Sequence, residues 1–278
     1  MPHVTVAPGV SVSYRVYGSG TPVLFVPPPG VGSAVFRRQV QGLSPHCQVI
    51  VFELRGHGGS TASPVPLTYP VVASDIRAIL DDLNLHKSYL CGYSMGASVV
   101  FEFIRSFPDR VQGGIALSGF SEATDWRIRA EITSAIACAR LPSMDTLGLA
   151  LAAANADDAR SFSLMYRTAR HANKDDVTNL FAYALEYNCS DALPSFGVPM
   201  QLMFGAEDGR LRRYAEILRA GLPRTEVVYI VKARHQIPMK FATAVNERIL
   251  DFVLHRERGA GFSETLLTSD TDAHQFLR

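Results

Sequence analysis

A serine lies between two glycines in the segment Gly92-Tyr93-Ser94-Met95-Gly96, at the point where an apolar run changes its period. The run before the serine is short, as in a buried strand, whereas the residues after it repeat at the helical period. Glycine on both sides removes the side chains that would clash in a sharp strand-to-helix turn. Such a turn presents the Ser94 hydroxyl at the top of a sheet, with the Met95 N–H and the positive end of the helix directed at a developing oxyanion. The pattern predicts a serine nucleophile.

A serine hydroxyl is a weak nucleophile, so it requires a general base, and the base requires an orienting acid. Asp208 follows the apolar run at 200–204, and His235 follows the run at 227–231. Each is therefore predicted at the carboxyl end of a strand, as the serine is, and the chain order is Ser, Asp, His. Glu207, beside Asp208, is an alternative acid.

The elements that must position these groups alternate along the chain. The pattern at 10–17 predicts an antiparallel edge hairpin, and short apolar runs predict buried strands at 23–26, 48–54, 89–92, 114–117, 200–204 and 227–231. Helical periodicity falls between the strands, at 35–43, 72–85, 95–107, 212–220 and 242–255. This alternation implies right-handed crossovers and an α/β fold, in which a mostly parallel sheet has helices on both faces and binds ligands at the carboxyl ends of its strands.

The alternation is interrupted from about residue 121 to 192, where only helical patterns occur. We interpret 121–192 as a helical cap inserted into one α/β core made of 1–120 and 193–255, which suits a chain of 278 residues. The tail at 256–278 is rich in Gly, Ser, Thr and Asp and has little periodicity, so we expect it to be loosely ordered.

A Gly-rich segment adds a family resemblance. Phe52-Glu53-Leu54-Arg55-Gly56-His57-Gly58-Gly59-Ser60 is similar to the Asp-x-Arg-Gly-His-Gly-x-Ser turn of the α/β-hydrolase fold superfamily, with Glu53 in place of Asp. The serine segment resembles the nucleophile elbow of that family, and the segments that contain Asp208 and His235 resemble its acid and histidine loops. Over essentially 10–255 the chain is identified as a member of this superfamily.

The resemblance implies a mostly parallel eight-stranded sheet with an inserted helical cap. It implies catalytic roles for Ser94, Asp208 and His235, and its spacing favours Asp208 over Glu207 as the acid. In this family the position of His57 usually serves local structure.

The loop after the third predicted strand departs from the family pattern. Where relatives commonly have His-Gly-x, this chain has Pro27-Pro28-Pro29-Gly30. Pro29 takes the position whose N–H would be the second oxyanion donor, and proline has no N–H. Either Gly30 is shifted in to donate, or a side chain or water substitutes, or Met95 is the single donor, or the prolines stiffen the loop and the donor position lies one residue away from Pro29.

The leading interpretation is a serine hydrolase that cleaves an ester-like bond, in a carboxylester, thioester or lactone, through an acyl-enzyme. Candidate substrate-binding residues are Tyr93 and Trp126. The insertion is rich in apolar and aromatic residues, which favours a small, fairly apolar substrate. Some relatives use the same triad as perhydrolases, carbon-carbon hydrolases or lyases, and others resemble ligand sensors with slow or no turnover, so these are the alternatives.

The composition limits the kinds of partner and cofactor that are expected. Lys plus Arg number 27 against 26 for Asp plus Glu, so the net charge of +1 does not favour nucleic acid or an anionic membrane as a partner. The four cysteines are far apart and show no C-x-x-C pairing, so they are predicted to be free thiols rather than disulfides or zinc ligands. The serine hydrolase interpretation involves no metal or other cofactor. The chain shows no signal peptide and no 18-residue apolar run, so we expect a cytoplasmic protein, a monomer or homodimer, that acts on a small molecule.

Overall fold

Nine strands form one sheet in the part of the chain that the structure describes. The structure is a computed structural model, and it describes residues 2–254 and 264–267. In chain order the strands are β1 (His3–Ala7), β2 (Val10–Tyr17), β3 (Pro22–Val26), β4 (Gln48–Phe52), β5 (Ser88–Tyr93), β6 (Val111–Leu117), β7 (Met200–Gly205), β8 (Thr225–Ile230) and β9 (Glu264–Leu267). Their spatial order is β1-β2-β4-β3-β5-β6-β7-β8-β9.

The sheet is mostly parallel, which confirms the predicted fold class. β2 pairs antiparallel with both β1 and β4, whereas all pairings from β4 through to β9 are parallel. The partner of β2 in the edge hairpin is β1, a strand that the sequence pattern did not identify. Only Val4 of β1 is buried, so its periodicity is weak.

The tail requires a correction. Four of its residues, Glu264–Leu267, form β9 and lie parallel to β8, where the sequence predicted loose order. A sheet edge offers unpaired N–H and C=O groups to an extended segment, so backbone hydrogen bonds can add a strand without a strong side-chain pattern. The sheet therefore has one strand more than the eight predicted. The rest of the predicted tail lies outside the described residues.

Helices cover both faces of the sheet, as predicted. Within the described residues they are α1 (Arg37–Leu43), α2 (Tyr69–Asp82), α3 (Met95–Ser106), α4 (Trp126–Ala139), α5 (Asp145–Asn155), α6 (Ala159–Arg170), α7 (Lys174–Glu186), α8 (Arg212–Gly221), α9 (Ile237–Lys240) and α10 (Ala242–Leu254). Along β3, Leu24 and Val26 join one hydrophobic cluster with α2, α3 and α8. Val23 and Phe25 point to the other face and join a cluster with α1, α9 and α10. This alternation is the expected consequence of the two-residue period of a strand.

Four consecutive helices, α4 to α7, separate β6 from β7. They pack as two pairs, α5 against α6 and α4 against α7. In residues 2–254 and 264–267, no helix combines the length and apolar character that a membrane span requires. Cys47, Cys91, Cys138 and Cys189 are free thiols, as predicted.

The Gly-rich turn after β4 is joined to its surroundings by buried polar contacts. The Arg55 guanidinium donates to both carboxylate oxygens of Asp75 on α2, at 2.8 and 2.6 Å. The His57 ring is fully buried and bridges two backbone groups: Nδ1 lies 2.9 Å from the Arg55 carbonyl oxygen, and Nε2 lies 2.9 Å from the Gly30 nitrogen. A carbonyl only accepts and an amide N–H only donates, so the imidazole is neutral with its proton on Nδ1. His57 thus has the local structural role that the resemblance implied.

The burial of His57 predicts a loss of stability in mild acid. Burial lowers the pKa of His57 to about 4, against the opposing hydrogen bond to the Arg55 carbonyl. In the unfolded chain the pKa is about 6.5, so below that pH the unfolded state binds a proton that the folded state rejects. The free energy of unfolding should therefore fall by about 3 kcal/mol as the pH falls from 6.5 towards 4.

Urea unfolding of the wild type and of His57→Gln across this pH range measures the effect. The variant lacks this titration but keeps the other histidines, so its stability should decline less steeply with acid. Curves that stay parallel for the two proteins would contradict the assignment of a neutral, buried His57.

Candidate active site

Ser94 occupies the turn between β5 and α3 with φ 54° and ψ −122°, a conformation that non-glycine residues rarely adopt. A Cβ at Gly92 would overlap the Gly96 carbonyl oxygen, and one at Gly96 would overlap the Val26 carbonyl oxygen on β3. The Ser94 N–H donates to the Leu117 carbonyl on β6 at 2.8 Å. The two glycines are therefore required by close backbone approach, as the sequence predicted.

Ser94, His235 and Asp208 form one chain of hydrogen bonds. His235 Nε2 lies 2.9 Å from Ser94 Oγ, and His235 Nδ1 lies 3.2 Å from Asp208 Oδ2. An ionised carboxylate can only accept, so Nδ1 carries the imidazole proton and Nε2 is left to accept the serine proton. This is the arrangement in which an imidazole can act as a general base towards a hydroxyl.

Backbone contacts hold the loops that carry the acid and the histidine against each other. The Glu207 N–H donates to the Ala233 carbonyl at 2.9 Å. A Cβ at Gly205, at the end of β7, would lie 2.5 Å from that carbonyl oxygen, so the approach of the two loops requires glycine. Ser118 Oγ, just after β6, donates to the His235 carbonyl at 2.9 Å. Three neighbouring strands thus fix the position of the imidazole.

The environment of Asp208 keeps it ionised. Its side chain is 2% exposed, and this burial raises the carboxyl pKa, but hydrogen bonds from His235 and Arg210 outweigh burial and set the net pKa below its ordinary value. Glu207 points elsewhere: its side chain is 52% exposed and pairs with Arg234 at 3.7 Å. The geometry therefore favours Asp208 over Glu207 as the partner of the imidazole.

Tyr93 does not face a ligand site, which corrects its prediction as a substrate-binding residue. It is 1% exposed, and its ring lies against the His235 ring with centroids 5.4 Å apart. Its hydroxyl donates to Asn155 Oδ1 on α5 at 2.8 Å, and Asn155 is also buried. Tyr93 therefore connects the serine turn to the inserted helices.

Trp126, the other predicted substrate-binding residue, is 70% exposed at the start of α4. The Arg127 guanidinium lies 5.4 Å from its ring centre. Arg127 also lines a cavity of about 510 Å³ between α4 and the acid and histidine loops, with Glu207, Asp208, Gly209, Arg210, Arg234 and Gln236. The cavity thus borders the acid and is lined by Arg127, the neighbour of Trp126 in the chain.

Of the three predicted oxyanion residues, Met95 is the one with an N–H that its own helix leaves unbonded. It is the first residue of α3, where amides have no intrahelical acceptor. Pro29 has no N–H. The Gly30 N–H donates to His57 Nε2, so the hypothesis that Gly30 is shifted in to serve as the second donor is wrong for this structure.

The apolar side chains of the insertion pack onto the hydrophobic core. Met165 and Phe181 are buried in the core clusters, and Phe162, Tyr166 and Tyr183 pack against them. Packing accounts for their apolar character, so it gives no information about the polarity of a substrate.

Neither residues 2–254 nor 264–267 contain a group of three or more His, Cys, Asp or Glu side chains placed to hold a metal ion.

Three residues that contact this site were missed from the sequence: Asn155, Arg210 and Ser118. Arg210 stands two residues after Asp208, and that spacing was a usable signal. Asn155 and Ser118 reach the site from distant segments, so no local pattern marks them.

Comparison with known proteins agrees with this architecture. The family model described as alpha/beta hydrolase fold matches residues 21–174, a stretch that contains Ser94 and ends before Asp208 and His235. Over 131 residues the chain is 26% identical to 3-oxoadipate enol-lactonase 2 of Acinetobacter baylyi, which covers 45% of this chain and 49% of that protein. The chain spans about half the length of the first curated relatives that it matches.

Two solved structures share the fold across almost the whole chain. A hydrolase from Pseudomonas aeruginosa superimposes with a TM-score of 0.80 at 20% identity, over 91% of this chain and 98% of that one. The enol-lactonase from Burkholderia xenovorans superimposes with a TM-score of 0.79 at 20% identity, over 90% and 99%. With the family model matching more than half of its length, the chain belongs to the α/β hydrolase fold family.

Proposed function

We propose that this protein is a serine hydrolase that needs no cofactor and cleaves an ester-like bond of a small substrate through an acyl-enzyme. The observation that carries the proposal is the hydrogen-bonded chain from Ser94 Oγ to His235 at 2.9 Å and from His235 to Asp208 at 3.2 Å. The names of the hydrolases and enol-lactonases that the chain is similar to support the same reaction class.

In the acylation step, His235 Nε2 takes the proton of Ser94 as its Oγ attacks the substrate carbonyl carbon. The carbonyl oxygen becomes an oxyanion, which accepts from the Met95 N–H and lies at the positive end of α3. Asp208, ionised and hydrogen-bonded to Nδ1, stabilises the imidazolium that forms. The tetrahedral intermediate collapses, and His235 returns the proton to the leaving alcohol or thiol.

Water releases the acyl group in the second step. His235 removes a proton from water as the water oxygen attacks the acyl carbon, and the proton then passes to Ser94 Oγ as the ester bond breaks. The products are a carboxylic acid and the free serine. A lactone would give one hydroxy acid, because both fragments belong to the same molecule.

A ligand-binding protein with slow turnover is the second candidate, and the loop after β3 favours it. Pro29 has no N–H and the Gly30 N–H is bonded to His57, so Met95 is left as the single donor of the three that the sequence indicated. Absence of one oxyanion donor typically costs about 3 kcal/mol of transition-state stabilisation, or a hundredfold or more in rate.

Hydrolysis of a panel of short acyl esters, thioesters and lactones tests the hydrolase proposal. Ser94→Ala should abolish turnover, since no other group on the described chain of hydrogen bonds can form the acyl bond. Asp208→Asn should lower kcat by about 10³- to 10⁴-fold, because the amide would no longer select the imidazole tautomer that accepts from serine. Glu207→Gln is the matched control: it removes the adjacent carboxylate, which pairs with Arg234, and should leave kcat within about twofold.

Turnover that survives in Ser94→Ala would refute the mechanism. A folded wild type that hydrolyses none of these compounds, but whose Tm rises when one of them is added, would favour a ligand-binding protein with slow turnover.

The proposed role of the loop predicts that Pro29→Ala makes the protein faster. The substitution adds an N–H at the position of the second oxyanion donor, so kcat should rise by about tenfold or more. Pro28→Ala adds an N–H to the same buried loop one residue earlier and controls for a general loss of rigidity. Equal effects of the two substitutions on kcat would show that Pro29 does not take the donor position.

A further inference from the structure

Arg210 contacts both oxygens of the Asp208 carboxylate. Its Nε lies 2.9 Å from Oδ1, and its Nη2 lies 3.3 Å from Oδ2. Oδ2 is also the oxygen that faces His235 Nδ1 at 3.2 Å. The Asp208 carboxylate therefore accepts hydrogen bonds from both a guanidinium and an imidazole. The guanidinium binds it through two nitrogens, in the fork geometry typical of Arg–carboxylate pairs.

The same guanidinium reaches the inserted helices. Arg210 Nη1 lies 2.5 Å from Glu131 Oε1, near the middle of α4. The Glu131 side chain is 54% exposed and that of Arg210 is 33% exposed, whereas Asp208 is almost fully buried. Arg210 is thus a bridge from a buried carboxylate on the core to an exposed carboxylate on an inserted helix.

This placement gives Arg210 two separable effects on the imidazole. Its hydrogen bond to Oδ1 stops the carboxylate from rotating, which keeps Oδ2 aimed at Nδ1. Its positive charge opposes the uptake of a proton by His235, since it offsets part of the negative charge that the imidazolium would face. The first effect depends on the shape of the side chain, and the second depends on charge alone.

We propose that Arg210 is a positioning residue that fixes the Asp208 carboxylate towards His235 and, through Glu131, makes the geometry of the acid depend on the position of helix α4. The proposal rests on the serine hydrolase function proposed above. It assigns the insertion a direct mechanical link to the reacting groups.

Other charged groups near the imidazole provide the controls. Arg127, Glu207 and Arg234 line the same cavity as Asp208 and Arg210, and the buried Tyr93 ring lies against His235. Among the described residues, Arg127 contacts the Trp126 ring and forms no ion pair with a carboxylate. It is also one helical turn from Glu131 on α4, so Arg127→Gln removes the same charge from the same cavity without touching Asp208.

The test is the second-order rate constant for modification of Ser94 by a fluorophosphonate, measured as a function of pH on the full chain. The reaction requires an unprotonated His235, so the rate should fall in acid. We call the pH at which the rate constant falls to half its maximum the acidic limb, and the constant value reached at higher pH the plateau. Arg210→Gln should move the acidic limb upward by about one pH unit and lower the plateau by about tenfold. Arg210→Lys keeps the charge but loses the fork, so it should lower the plateau while leaving the limb near its wild-type position.

Glu131→Gln tests the link to α4. It should lower the plateau by about two- to threefold without moving the limb upward, and the double variant with Arg210→Gln should react no more slowly than Arg210→Gln alone. Non-additivity of this kind would show that Glu131 acts through Arg210. The Tm of each variant is measured alongside; if Arg210→Gln does not fold, Arg210→Lys and its double variant with Glu131→Gln carry the same comparison.

Each negative result would overturn a different part of the proposal. A folded wild type that is not modified at Ser94 would overturn the proposed function itself. A wild type that is modified, with Arg210 variants that match Arg127→Gln in both limb and plateau, would overturn the role of Arg210. Additive effects in the double variant would overturn the link to α4.

Discussion

The backbone at Ser94 is held in a conformation that would cost about 1–3 kcal/mol on its own, and the rest of the site depends on it. Gly92 and Gly96 permit the turn because carbonyl oxygens occupy the space where their side chains would be. The parallel strands around β5 hold it, since the Ser94 N–H is bonded to β6. The turn brings Oγ to the edge of the sheet at which the loops after β7 and β8 begin.

The convergence of serine, acid and histidine could be predicted from the sequence because it follows from strand order. Ser94, Asp208 and His235 each come two to four residues after the end of an apolar run, and the carboxyl ends of parallel strands meet at one edge of a sheet. The alternation of strands and helices likewise predicted the sheet and the helical insertion. The missed strands are the two outermost ones: β1, in which only Val4 is buried, and β9, which lies in a segment rich in Gly, Ser, Thr and Asp.

Contacts between distant segments could not be predicted. Nothing local to Tyr93 indicates that its hydroxyl bonds to Asn155 on an inserted helix, so a residue that the sequence suggested for substrate binding is buried instead. The lack of an N–H at Pro29 could be predicted from the residue type alone. The hydrogen bond of the Gly30 N–H could not, because its acceptor, His57, belongs to another loop and is oriented by the Arg55 carbonyl.

Covalent labelling would show whether His235 activates Ser94. Intact-mass analysis after incubation with excess fluorophosphonate, followed by mapping of the modified peptide, compares the wild type with Ser94→Ala and His235→Ala. If His235 activates Ser94, the wild type should carry one adduct, located on Ser94, and neither variant should carry any. An unmodified but folded wild type, or an adduct that persists in His235→Ala at the wild-type rate, would contradict this activation.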